Sequence, residues 1–396
     1  MFASRTNWRL EPNRFTLALE EHRRAGKELL DLTASNPTTC GFAYPEQEII
    51  SALADRRSLE YRPESKGLLV AREAVAGYYA GRAAFSGPGA REVAKIDPEN
   101  ILLASGTSEA YSHIFRLLCE AGDEVLVPAP GYPLFEFLAD LADIRLVPYP
   151  LVYDHGWQID FASLRAALTS RSRAVLVVHP NNPTGSYVKP REATELAEIC
   201  LAREMAIVAD EVFLDYTAEP ARTFALHEGA LTFTLSGLSK ISLLPQMKLA
   251  WTVVSGPQAL VDAAVERLEI IADTYLSPSI PVQLALPRLL ALRLGLQEQL
   301  KGRISGNLAA LDDALRASKH LTRLESEGGW YAVLRVPVAG SDEDLAISLL
   351  ESCSVLVHPG HFFNFPRDGF LVLSLITPEQ QFQEGVRRLQ EFFIAK

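Results

Sequence analysis

From Glu99 to Gly256 the chain alternates short apolar runs with amphipathic stretches. ILLAS precedes SEAYSHIFRLLCEAG, DEVLVPAP precedes YPLFEFLADLAD, AVLVVHP precedes REATELAEICLARE, and MAIVAD, LTFTLS and LAWTVVSG complete the series. Such runs, separated by helical patterns, predict an α/β core: a mainly parallel sheet covered on both faces. A helical region follows over 257–318, interrupted at LSPSIP and carrying Pro287. Beyond it, GWYAVLRVP, DEDLAISLLES, SVLVHPG and FLVLSLI precede a closing helix with Thr377 as its expected cap, Pro378 in the first turn and Gln380 at the box position. This second pattern predicts a smaller α+β domain. Residues 1–45 are too few and too irregular to fold alone and are expected to join it. The expected division is 46–285 for the large domain, and 1–45 with 286–396 for the small one.

Composition changes little in that picture. The 396 residues are 48% hydrophobic and 22% charged, which is ordinary for a globular chain long enough for two or three domains. Charge excludes more. Thirty-eight basic against 49 acidic side chains give −11, which opposes attraction to phosphate backbones or anionic lipid, so neither nucleic acid nor a membrane is an expected partner. Cys40, Cys119, Cys200 and Cys353 form no CxxC pair, and no apolar stretch reaches the roughly 20 residues of a membrane helix. A cytoplasmic location is expected.

Four motifs sit where predicted strands end. SGLSK puts Lys240 just past LTFTL, at the carboxyl edge where α/β sheets bind ligands; partial burial there makes an amine nucleophilic toward an aldehyde. MAIVAD ends in Asp210, a carboxylate able to keep a heteroaromatic nitrogen protonated. HPNNPTG holds Asn182 in a turn set by Pro183 and Gly185. ASGTSEA places the amides of Gly106, Thr107 and Ser108 at a helix amino terminus, a ready phosphate site. Taken singly, each also suits a plain surface lysine, loop acid, turn or cap.

In order and spacing, SGTSEA, PGYP, HPNNPTG, the Asp210 strand end and SxxSK resemble the class I/II aminotransferases over nearly the whole chain. That resemblance implies fold type I, with a mainly parallel seven-stranded sheet between helices and a smaller α+β domain, and pyridoxal 5′-phosphate as cofactor. It implies Lys240 as the Schiff-base lysine and proton carrier, Asp210 as partner of the pyridinium nitrogen, Asn182 as donor to O3′ and Tyr132 as the ring stacked on the pyridine. Gly106, Thr107, Ser108 and Ser239 match the phosphate cradle. Tyr61 resembles a tyrosine that reaches the phosphate across a dimer interface, which implies a homodimer with shared sites.

Five positions depart from the family pattern. Lys248 stands for the arginine that grips phosphate, keeping the charge and losing the fork. Gly237 replaces a phosphate-binding serine, a loss that neighbouring Ser236 is a candidate to offset. Phe213 replaces the tyrosine that assists O3′, predicting a Schiff base protonated over a wider pH range. Ser35 replaces a small glycine, with Asn36 beside it. Val372 replaces the arginine that binds the substrate α-carboxylate, which a valine cannot do. Either Arg367 supplies that cation, or a substrate lacks the group. His358 and His361 form no metal site with a third ligand and are expected to line or support the substrate side, His361 in contact with substrate.

The expected activity is transfer of an amino group from a donor, expected to be an amino acid, to a 2-oxo acid through pyridoxamine phosphate. The alternatives are a lyase acting on an amino acid side chain and a pyridoxal-phosphate-binding protein with reduced catalysis.

Overall fold

The computed structural model describes residues 1–80, 82–85, 95–217, 222–316, 318, 320–337 and 340–394. Its centre is a sheet of eight strands: β1 (Ile101–Ala104), β2 (Glu124–Ala129), β3 (Arg145–Tyr153), β4 (Trp157–Ile159), β5 (Ser172–Val178), β6 (Ala206–Asp210), β7 (Thr232–Gly237) and β8 (Ala250–Ser255). Their spatial order is β1-β8-β7-β6-β5-β2-β3-β4. The run from β7 to β3 is parallel, β8 is antiparallel to both β7 and β1, and β4 is antiparallel to β3. The eighth member is the short edge strand β4, which turns back from β3.

Every predicted apolar run became a strand; in the large sheet no run announced the short β4 or, before it, β3. Strand β3 contains Pro148 and Pro150, which pair with Val127 and Ala129 of β2. Proline removes a ladder donor and is tolerated where one side of a strand is open. Both prolines lie in the part of β3 that meets only β2, because β4 pairs with residues 151–153 alone. Apolar clusters fill both faces of the sheet, one built around Ile114, Phe115 and Leu268, the other around Leu164, Leu196 and Val212.

The second body holds β9 (Thr322–Arg323), β10 (Tyr331–Arg335), β11 (His358–Pro359) and β12 (Phe370–Ser374), an antiparallel sheet in the order β9-β10-β12-β11. The amino-terminal segment packs here: Leu30 and Asp31 pair in parallel with Val355 and Leu356, and the Ser374 amide donates to Leu32 O at 2.7 Å. Thr377 does not cap the closing helix, Glu379–Ile394. It lies two residues before that helix, fully buried, and its hydroxyl donates to Asp31 O at 3.3 Å, because a tertiary acceptor stands within reach.

Three helices matter for the site. Helix α1 (Thr107–Leu118) follows β1, and α2 (Leu238–Ile241) follows β7. Helix α3 (Ile280–Leu315) is 36 residues long, about 54 Å at 1.5 Å per residue, and links the two bodies. Its buried Asn307 donates to Leu375 O and Thr377 O, at 2.9 and 2.7 Å. Among the described residues no helix is long and apolar enough to cross a membrane.

Candidate functional site

Five strands deliver their following loops to one edge of the large sheet, and Lys240 stands at its centre. Helix α2 begins directly after β7, so the lysine is held one short turn beyond the strand. The Tyr216 phenol donates to Lys240 O at 2.6 Å. Gln297 of α3 donates to Ile241 O at 2.7 Å and to Asp215 at 2.6 Å, so the turn is pinned from two sides. The Lys240 Nζ lies 4.8 Å from the centre of the Trp330 ring and 5.8 Å from that of Phe213. Burial pushes its ammonium pKa down to about 8, against the pull of Asp210. About a fifth of such an amine is neutral at roughly pH 7.4, against well under about 1% of a free lysine.

Asp210 is buried at the end of β6. Its carboxylate accepts from the Tyr111 phenol at 2.9 Å and from the Val212 amide at 3.1 Å. Burial raises its pKa, while these two bonds and the nearby Lys240 charge pull it back. Tyr111 escaped the sequence reading. Its signal was its position one turn into α1, on the face shared with buried Ala110, Ile114 and Phe115, but its partner is 99 residues away. Tyr132 is 41% exposed, meets Phe135 edge-on at 5.8 Å and lies in the field of Asp210. Asn182 is buried after β5, and its side-chain oxygen has no hydrogen-bond partner among the described residues. Neighbouring Asn181 donates to Pro130 O at 3.1 Å and so ties this loop to the Tyr132 loop.

The start of α1 forms the cradle. Gly106 is the cap residue and no side chain caps the turn, which leaves the Thr107 and Ser108 amides free of intrahelical acceptors. Lys248, in the left-handed conformation at φ 49°, brings its Nζ to 3.2 Å from where a Gly106 Cβ would stand. Ser239 sits between β7 and the lysine. Ser236 does not compensate for Gly237: it is fully buried in β7, and strand alternation sends it to the opposite face. Tyr61 is 75% exposed, in keeping with a residue free to reach beyond its own chain.

The substrate candidates are not all gathered here. Ser35 lies beside the Tyr331 phenol, which also feels Tyr132. Asn36 is occupied locally, accepting from the Thr38 amide at 3.1 Å and hydroxyl at 2.7 Å. Val372 is fully buried in the same apolar cluster as Phe213 and Trp330, while adjacent Leu371 faces the core of the small body. His361 turns outward: it is exposed, in the field of Asp342, with its ring 4.7 Å from Phe362. His358 is half-buried, and burial lowers its pKa. Among the described residues no group of three His, Cys, Asp or Glu side chains is arranged to hold a metal.

Arg367 lies elsewhere. Its guanidinium is 5.9 Å from the Phe370 ring centre, lining a separate cavity of about 970 Å³ with Arg335, Trp157 and Phe365. Neither Lys240, Asp210 nor Asn182 lines that cavity. Strand β12 explains the separation: Phe370 pairs with Arg335 at one end, and Ser374 pairs with Tyr331 at the other. Four residues at ~3.3 Å each set the two ends about 13 Å apart.

A family model described as "Aminotransferase class I and II" matches residues 27–389. The chain is 27% identical over 382 residues to the alanine aminotransferase of Mycobacterium tuberculosis strain H37Rv, covering 93% of this chain and 86% of that protein. It is 28% identical over 360 residues to the glutamate-pyruvate aminotransferase AlaA of Escherichia coli K12, covering 88% and 87%. Among solved structures, the alanine aminotransferase of Pyrococcus furiosus superposes with a TM-score of 0.86 at 22% identity, over the whole of both chains. An Escherichia coli aminotransferase gives 0.83 at 24% identity, covering 100% of this chain and 98% of that one. At these identities the two superpositions speak for the fold.

Proposed function

Because the chain belongs to the class I and II aminotransferases, which are pyridoxal-phosphate-dependent, we propose that Lys240, Asp210, Asn182, Tyr132 and the Gly106–Ser108 turn are the parts of its amino-transfer site. The observation that carries this reading is the half-buried Lys240 amine, its pKa near 8, at the same sheet edge as buried Asp210. The cofactor fits the residues present. The buried Asn182 carboxamide at the same sheet edge brings an NH2 group able to donate, and the glycine cradle with Lys248 beside it suits a phosphate dianion.

When bound, pyridoxal phosphate supplies an aldehyde that condenses with primary amines and a ring that takes up the electron pair released at the substrate carbon. The chain does the rest. Lys240 takes the proton from that carbon and delivers it to the cofactor's C4′, a task suited to an amine whose pKa lies close to working pH. Asp210, held by Tyr111, keeps the proton on the ring nitrogen. Asn182 donates to O3′ in a site where Phe213 offers no hydroxyl. Tyr132 covers a face of the ring. The Thr107 and Ser108 amides, Ser239 and Lys248 bind the phosphate.

Tyr61 belongs to the same proposal as a residue reaching the phosphate of a second copy, which makes the working unit a homodimer. A cytoplasmic location is supported by four cysteines free of disulfides. The test is Lys240→Ala. The variant is expected to keep its far-ultraviolet dichroism, to lose borohydride-trappable cofactor and to lose transfer; turnover surviving in it would remove Lys240 from the role.

A further inference from the structure

We infer that the cavity holding Arg335 and Arg367 is a second binding site, for an organic carboxylate with an aromatic body. It lies apart from Lys240 and goes beyond the amino-transfer reading.

The cavity encloses about 970 Å³, a volume in the range of small-molecule sites, and its walls come from both bodies. One wall is the face of β3 that carries Pro148 and Pro150. Proline has no N–H, so that wall offers an apolar surface with few donors to leave unpaired. The other comes from β10, β12 and the loop before β12. There Phe365 stacks on Phe370 at 4.5 Å and 23°, and Trp157 meets Phe365 edge-on at 6.3 Å. A flat apolar group has a continuous aromatic surface to lie against. Trp157 also brings an indole N–H that is buried and has no acceptor among the described residues, a donor that calls for an oxygen.

Two cations meet at the end of this aromatic row. Arg335 is the cross-strand partner of Phe370, which puts the two side chains on one face of the sheet, and the Arg367 guanidinium lies 5.9 Å from the centre of the same ring. Both arginines line the cavity, and among the described residues neither forms an ion pair. Like charges gathered at one ring repel, and a carboxylate between them reverses that term while accepting from two planar forks. The acidic side chain among the described lining residues is Glu136, which accepts from the Asn364 amide at 3.2 Å. Two arginines against one glutamate leave the lining one positive charge in excess. On a chain of net charge −11 that excess is local, so the preference for an anion is made by contact at the cavity.

The holoenzyme is titrated calorimetrically with 3-phenylpropionate and with 3-phenylpropionamide, which keeps the aromatic body and removes the charge. Neither compound carries an amino or oxo group to transfer. The acid is expected to bind at least about tenfold more tightly than the amide, as a charged hydrogen-bonded contact provides. Arg335→Gln and Arg367→Gln are each expected to weaken the acid by about tenfold or more, and Glu136→Gln to tighten it by up to about fivefold. All three side chains are exposed, so the variants are expected to melt with the parent. Lys240→Ala is expected to leave the affinity unchanged, because Lys240 is not part of the cavity. Equal affinity for acid and amide, or no binding of the acid, would overturn the inference. So would arginine variants whose titrations superimpose on the parent's, or an affinity lost with Lys240, either of which puts the carboxylate elsewhere.

Discussion

Gly237 and Ala250 face each other across β7 and β8, and the space between them holds one Cβ. A Cβ added to Gly237 would stand 2.9 Å from Ala250 Cα, Ala250 Cβ and Leu249 O, closer than real contacts allow. The backbone of β8 at Leu249 and Ala250, together with the Ala250 methyl, thus leaves no room for a side chain on β7, and the absence of a hydroxyl beside the cradle is a consequence of strand packing.

That relationship predicts coupling. Gly237→Ser is expected to cost about 1–3 kcal/mol through overpacking, read as a lowered Tm or denaturant midpoint. Adding Ala250→Gly removes one of the three close contacts and should recover only part of the loss, Ala250 Cα and Leu249 O remaining close. Independent, additive effects of the two changes in a double-mutant cycle would contradict the steric account.

Asp210 and Tyr111 form the second testable pair. Asp210→Asn is expected to lower turnover by more than about a hundredfold, since a neutral amide cannot hold a proton on the ring nitrogen. Tyr111→Phe removes one hydrogen bond to the carboxylate, worth about 1–2 kcal/mol, and is expected to lower turnover roughly tenfold with the Kd for cofactor little changed. Turnover equal to wild type in Tyr111→Phe would show that Asp210 needs no such support.

Lys240 gives a pH signature in cofactor-free protein. Its pKa is near 8 in the fold against about 10.5 in the unfolded chain, so between those values the unfolded state binds the extra proton. Stability from this group therefore rises with pH from 8 to 10.5, and below pH 8 its full cost is present. Lys240→Met is expected to be more stable than the parent at pH 7, by up to about 3 kcal/mol, with the gap closing toward pH 10. Paired thermal melts across that range check it, and a gap independent of pH would exclude the lysine as its source.

The cradle makes a graded prediction. Lys248→Ala should weaken cofactor binding by about tenfold to a hundredfold, as expected for the loss of a charged contact to phosphate. Gly106→Ala should do less, because its new methyl would meet the movable Lys248 Nζ at 3.2 Å. Equilibrium dialysis of both variants distinguishes the two, and equal losses would mean that the amides carry the phosphate.

The chain's local pattern determined the order of the strands that flank the site and put Asp210 at the end of one and Gly106, Asn182 and Lys240 just beyond others. Apolar runs define strands, and polar residues at their ends define the binding edge, so both are written in neighbouring residues. Strand β3 escaped because Pro148 and Pro150 break the pattern while the open side of the strand tolerates them.

The tertiary structure decided what local pattern cannot encode: which distant groups share a face. Tyr111 became a partner of Asp210 through the approach of α1 to β6, while Ser236 was turned from the cradle by one step of the pleat. Val372 joined the apolar cluster that also holds Phe213 and Trp330, and adjacent Leu371 joined the core of the small body, for the same reason of alternation. Arg367, only five positions earlier in the chain, was carried past the far end of β12. Sequence spacing counts residues, whereas an extended strand converts them to distance at about 3.3 Å each and in one direction, and that direction exists only once the strands have paired.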